Sequence, residues 1–270
     1  AGGNVTNVVV GDIEKAKIVL AAHYDTGVRE VLPPLICPTR PATYMLYEAL
    51  MPLLALAVSF LISFGVTFAL NMPNMTLPLF LLLLVVWLFY PKYGKSEMNN
   101  KNANTSGVVA LLEVAKALTP RYRGEVCFLF LDGGTQGSKG AKRLIHAHPE
   151  LKKKSVVVLD CVGEGDELLI LPGKASRWND KLLDTILEQF SNSEKKTCFL
   201  KTDGLVHYPS DNRAFMGGTV ICACKKVKGF GRCILPRKAT GIDEENLSLL
   251  CDGLCKLVMY YNPQNNPQNT

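Results

Sequence analysis

Apolar residues in this chain fall into two patterns, short runs and long ones. Short runs bounded by turn residues cover 7–10, 17–22, 126–131, 155–161, 167–171 and 219–224, and their length and branched residues predict buried strands. Segments with apolar residues every three or four positions, at 106–118, 138–146, 179–190 and 244–261, predict helices. A strand is mostly followed by a helix. That order implies an α/β three-layer sandwich around a mixed, largely parallel central sheet. In such folds functional side chains gather at the carboxyl ends of the strands. His23, Asp132 and Asp160 each come just after an apolar run, at such an end.

The long runs are of another kind. Between 44 and 70 the ionisable side chains are Tyr44, Tyr47 and Glu48, and everything beyond is apolar or small, enough for a bilayer span of about 20 residues. "NMPNMT" (71–76) breaks the run. "LPLFLLLLVVWLFY" (77–90) resumes it, with Trp87 and Tyr90 at its far end where interfacial aromatics belong. This second stretch is short, and spans fully only if Pro73 and Pro78 are included, so a helix that enters and turns back stays open. Neither run has a polar stripe, which argues against buried helices of a soluble core. Their place well inside the chain argues against a secretory signal. The expectation is a transmembrane hairpin, 44–95, inserted into one discontinuous domain made of 1–43 and 96–270. Arg29 and Arg40 precede the hairpin, Lys92, Lys95 and Lys101 follow it, and its tip is uncharged. The positive-inside rule then places the protein in the cell membrane with its domain facing the cytoplasm. The opening "AGGNVTNVVVGD" lacks a Met and reads as a strand already under way, so preceding residues are expected.

Charge and cysteines narrow the function classes. A net charge of +6, with no basic block interleaved with aromatics, gives no reason to expect a nucleic-acid partner. Lys152, Lys153 and Lys154 read as a solvated face. The nine cysteines are an odd set, several inside apolar runs, which suits small hydrophobes in a reducing compartment. Cys222 and Cys224 read as neighbours on one strand face rather than half a metal clip. No Gly-x-Ser-x-Gly elbow is present, and "GGTQGSKG" lacks the Gly-Lys-Ser/Thr of a phosphate loop.

Five segments in order carry a resemblance: "AAHYDTG", "NANTSGVVALLEVAKAL", "CFLFLDGGTQGSKGAKRL", "VVVLDCVGEGD" and "YPSDNRAF". Together they resemble the zinc aminopeptidases with two metals, peptidase family 28, over almost all of the chain outside 44–90. The resemblance implies that His23 and Asp160 are ligands of one metal and that Asp25 orients His23. It also implies that Ala103 stands where a bridging Asp belongs, Gly134 where the general-base Glu belongs, and Thr135 and Leu235 where further ligands, a Glu and a His, belong. Catalytic zinc typically needs three protein ligands, so zinc is expected to be weak or absent. Loss of a general base removes a contribution of roughly 10²–10⁴-fold. His207 is a candidate rescue ligand, with Asp132, Glu164 and Asp211 behind it. The simpler readings are Asp132 as a strand-end cap, Glu164 and Asp166 as turn residues, and Asp211 as an Asx-turn former. Two functions follow. One is a membrane-anchored metallopeptidase-family protein, impaired or inactive as a hydrolase, that binds a peptide, lipid or protein partner. The other is an active aminopeptidase with a rearranged single-zinc site, removing N-terminal residues from peptides.

Overall fold

The computed structural model describes residues 5–27, 36–93, 95, 97, 100–194, 196–216, 218–234 and 241–261, without the side chains of 91–93. Two strands, β1 (Val8–Val10) and β2 (Ile18–His23), precede two long helices, α1 (Pro41–Ala69) and α2 (Thr76–Tyr93). A π-helical turn (Lys101–Thr105) leads into α3 (Ser106–Ala117), the short α4 (Pro120–Arg123), β3 (Val126–Leu131) and α5 (Lys139–Ala147). Then come β4 (Ser155–Leu159), β5 (Glu167–Leu171), α6 (Asp180–Gln189), β6 (Thr197–Leu200), β7 (Thr219–Val227), β8 (Gly231–Cys233) and α7 (Glu244–Tyr260).

The strands form one sheet in the order β1-β3-β2-β4-β7-β5-β6, with β8 paired to β7. β2 runs parallel to both β3 and β4, β4 to β7, and β5 to β6, while β1, β8 and the β5–β7 pair are antiparallel. The sheet is therefore mixed and mostly parallel, as the order of runs implied. Its central strands are covered on both faces, which is why they read as continuous apolar runs. Ile18, Leu20 and Ala22 pack with Val157 and Leu159 into a core shared with Leu111 of α3, Ile186 of α6 and Leu254 of α7. Val19 and Ala21 face the other way, with Val156, Val158 and Leu144 of α5. On the first face α3 approaches closely: a Cβ on Gly107 would stand 3.0 Å from both the Ala22 methyl and the Leu159 carbonyl oxygen. Two strands, β6 and β8, were not anticipated, and β7 continues three residues past the expected end at Cys224.

The hairpin is built the other way round from a water-soluble helix pair. α1 has 29 residues and α2 has 18, and both are long and apolar enough to cross a membrane. Their apolar side chains face outward. Ser59, Ser63 and Thr67, one turn apart on α1, are its buried residues. Ser63 donates to the Ser59 carbonyl, Thr67 to the Ser63 carbonyl, and the Thr67 and Thr76 hydroxyls meet at 2.7 Å across to α2. Small hydroxylated residues at a helix contact are how helices associate where apolar surface gives no drive.

The entry to α1 is fixed to the sheet. Ile36 bridges to Ile234, and the free thiols of Cys37 and Cys233, both buried, lie 2.8 Å apart. Burial and the neighbouring sulfur push the Cys37 thiol up to about 12, which disfavours its thiolate.

Candidate functional site

Strand register brings His23 and Asp160 together. Ala22 of β2 is paired with Leu159 of β4, so the next residues, His23 and Asp160, emerge side by side at the carboxyl edge of the sheet. Both are buried. His23 Nδ1 is 3.2 Å from Asp25 Oδ1 and Nε2 is 3.7 Å from Asp160 Oδ1, the second being an ion-pair contact rather than a hydrogen bond. Asp25 lies behind the ring. Its carboxylate also accepts from the Gly134 amide (2.7 Å), the Thr135 amide (3.0 Å) and the Thr135 hydroxyl. The Cys161 thiol donates to Asp160.

The loop after β4 is held by the π-helical turn. Asn102 Oδ1 accepts from the amides of Gly163 (2.8 Å) and Glu164 (3.0 Å), and Ser106 Oγ accepts from Val162. Ala103 sits among these residues as a buried methyl. At Ala103, where the resemblance expects a bridging Asp, the side chain is a methyl with no donor atom.

Gly134 is the informative position. It and Thr135 open a short 3-10 turn lying directly on the imidazole. A Cβ on Gly134 would stand 2.7 Å from His23 Cβ, 2.8 Å from Cγ and 3.0 Å from Asp211 Oδ2. No side chain fits there without movement of the turn or of His23, so backbone occupies the space next to the histidine.

Asp211 departs from the expected Asx-turn. Its side chain is buried beside His23, Oδ1 has no hydrogen-bond partner, and Oδ2 faces Gly134. Burial pushes its carboxyl above the ordinary value of 3.8, helped by the charges of Asp160 and Asp25 and opposed by His23. Nothing in a "PSDN" loop read as sequence distinguishes this placement from a turn.

The other candidates lie elsewhere. His207 contacts the Tyr44 ring at 5.0 Å between centroids, and the Arg213 guanidinium lies 2.9 and 3.1 Å from its ring nitrogens. Asp132 caps its own strand end, accepting from the amides of Thr6 and Gly133. Glu164 pairs with Lys225. Leu235 lies outside the described residues.

Among the described residues, zinc would find His23 and Asp160 without a third ligand beside them. The 3.7 Å between Nε2 and Asp160 is near the ~3.4 Å that two ligands at about 2.1 Å adopt around a tetrahedral ion. Two donors are nevertheless too few. Among the described residues, no three of His, Cys, Asp and Glu form a group able to hold a metal, so His207 is not brought into one with this pair.

The charge of the His23 ring is set by the carboxylates around it. Burial disfavours a charged His23, but Asp160 and Asp25 outweigh it and raise the imidazole well above its ordinary 6.5. Burial likewise opposes ionisation of Asp25, yet His23 and Thr135 bring it down to about 2. The signs are opposite. The His23 contribution to stability is complete below about pH 6.5 and is lost as pH rises through its elevated folded-state value. The Asp25 contribution is complete above about pH 4 and is lost as pH falls towards 2. In a ¹⁵N-histidine NMR titration His23 is expected to keep imidazolium shifts above the pH at which an ordinary histidine loses its proton. A midpoint near 6.5 for this residue contradicts the assignment.

The fold is thus an α/β sandwich on a mixed, mostly parallel sheet, with His23 and Asp160 side by side at its carboxyl edge. Residues 102–224 match the model of Peptidase family M28. No curated protein matches the sequence. Similar solved structures include the aminopeptidase from Aneurinibacillus sp. strain AM-1, with 18% identity, 58% of this chain and 38% of that chain covered, and a TM-score of 0.41. A zinc aminopeptidase from Bacillus subtilis has 18% identity over 58% of this chain and 41% of its own, with a TM-score of 0.41. A glutaminyl cyclase from an Acidobacteriales bacterium has 15% identity over 97% of this chain and 75% of its own, with a TM-score of 0.49. The chain thus spans about two fifths of the length of the two aminopeptidases.

Proposed function

We propose that this protein is a membrane-anchored member of peptidase family M28 that no longer hydrolyses peptides and uses the carboxyl edge of its sheet to bind a peptide or protein partner. The observation that carries the loss of hydrolysis is the Gly134 turn, whose backbone lies against His23 where an intact site needs room for a glutamate and water. The imidazolium, held between Asp25 and Asp160, supplies the positive charge that keeps these carboxylates stable without a metal. Zinc content and chelator-sensitive turnover of aminoacyl substrates, measured on the purified full chain, test this reading. Stoichiometric zinc with turnover favours the single-zinc alternative.

Membrane anchoring is supported by the exposed apolar surface of the hairpin, on which Leu61, Phe68 and Leu88 are more than half exposed. So large a continuous patch is not tolerated in water. At ~1.5 Å per residue α1 is about 43 Å long and α2 about 27 Å, against a hydrocarbon core of about 30 Å, so α2 is the shorter limb of a full crossing. Basic flanks put the domain on the cytoplasmic side. Cysteines introduced at Asn71 or Asn74, in the tip, are expected to react with an impermeant maleimide added outside intact cells. Reaction only after permeabilisation overturns this topology.

A further inference from the structure

The ribbon formed by the end of β7 and by β8 projects from the sheet beside the root of α1. Lys225 pairs with Cys233, Lys226 with Arg232 and Val227 with Gly231, and the turn between them reads Val227-Lys228-Gly229-Phe230-Gly231. The Phe230 amide closes it onto the Val227 carbonyl, with Gly229 and Gly231 at φ of 85° and 84°, conformations that favour glycine. Val227 is 39% and Phe230 42% exposed, and Lys226, Lys228 and Gly229 are exposed with them. An aromatic ring on a glycine-shaped turn has no reason in packing to stand in water.

Its position gives the reason. Arg40, the residue immediately before the first residue of α1, donates from Nη1 to the Gly229 carbonyl at 2.6 Å. Its guanidinium lies along Gly231, where a Cβ would stand 3.2 Å from Nε. The Ile36–Ile234 bridge ties the same two segments one step further in. The tip of the turn is thereby held level with the point at which the apolar helix begins. The charge is also one-sided. Lys225, Lys226, Lys228, Arg232 and Arg40 cluster here, and the acids facing them are Glu164, paired with Lys225, Glu167, paired with Lys226 and Arg232, and Asp166 and Asp243, whose charges also act on Lys225. Lys228 and Arg40 add positive charge beyond those pairs.

We propose that the Val227–Gly231 turn is a second membrane contact, in which Phe230 and Val227 enter the boundary between headgroups and acyl chains while Lys226, Lys228 and Arg40 meet anionic phospholipid headgroups. This rests on the membrane reading of the hairpin, and goes beyond it by assigning the lipid surface a site on the α/β domain. Aromatic and aliphatic side chains flanked by Lys and Arg are the composition that binds such a boundary. An anionic surface adds attraction for each basic residue near it.

The test uses the full chain reconstituted in vesicles of phosphatidylcholine with or without phosphatidylglycerol, the acyl chains brominated close to the headgroup. Phe230→Trp is made together with Trp87→Phe and Trp178→Phe, so that residue 230 carries the sole indole. A second protein with Trp178→Phe alone leaves Trp87, in α2, to report on the hairpin. Tryptophan at 230 is expected to lose most of its emission in brominated anionic vesicles and to shift to the blue. Lys226→Gln with Lys228→Gln is expected to weaken that loss in anionic vesicles and to leave it unchanged in neutral ones. Val227→Trp in the same background repeats the measurement from the other apolar position. Quenching of Trp87 without quenching at 230 or 227 overturns the turn's contact and leaves the hairpin in place. If no position is quenched, the membrane reading falls and this inference with it. Equal quenching in neutral and anionic vesicles overturns the anionic preference.

Discussion

Replacing His23 with alanine is expected to destabilise the domain by about 3–5 kcal/mol, the range for removing one partner from a buried ion pair. The residue is buried, and its ring is the positive charge set between Asp25 and Asp160. With it gone, those carboxylates and the buried Asp211 repel one another in a medium that screens poorly. His23→Gln keeps the volume and a donor but no charge, and should fall between wild type and alanine. Adding Asp160→Asn to His23→Ala should recover part of the loss, because the asparagine leaves no uncompensated charge. Urea unfolding followed by fluorescence measures all four proteins. A His23→Ala variant within about 0.5 kcal/mol of wild type, the range for ordinary surface changes, would falsify the account of the imidazolium as the metal's replacement.

Hydrolysis is expected to be absent from the wild-type chain, with zinc bound substoichiometrically, and to return only when the whole site is rebuilt. Ala103→Asp, Thr135→Glu and Leu235→His each add one donor to a site that works as a unit, so each alone should give no chelator-sensitive turnover. Gly134→Glu alone should be worse than neutral, since its Cβ would lie within 3 Å of the His23 side chain and must push the turn or the ring aside. The four together give zinc enough donors to draw the turn outward, and metal content and aminopeptidase activity should rise in the same protein. Wild-type turnover that a chelator abolishes contradicts this account directly. A Gly134→Glu single variant as stable as wild type would show that the turn yields easily, and that crowding is not what holds the site closed.

Much of the architecture is legible in the sequence because its central strands are buried on both faces. The runs ending at Ala22, Leu131 and Leu171 are unbroken and apolar, and the structure begins and ends them within a residue or two of the expected bounds. The missed strands lack that signal. β6 has four residues behind a polar stretch, and β8 has three, one of them glycine, paired to the lysine-bearing end of β7. At the site, the meeting of His23 with Asp160 follows from register, and the family motifs anticipate it. The crowding by Gly134 does not show, since a glycine carries no side chain whose fit could be judged. Asp211 is hidden for a related reason: "PSDN" reads as a turn, and only the chain path turns its carboxylate inward.

The hairpin's place in the chain has a bearing on how the protein folds. β2 is made before α1 and α2, and its sheet neighbours β3 and β4 come only after them, Ile18 waiting for Val126 and Ser155. Contacts so distant along the chain form slowly, and an apolar strand with two open edges is prone to pair with the wrong partner while it waits. The hairpin is complete first, and once it is held, the ends it joins are close together and the search for β3 and β4 is shortened. A lesion that delays the hairpin should therefore be felt first as aggregation during synthesis, with the mature domain no less stable once formed.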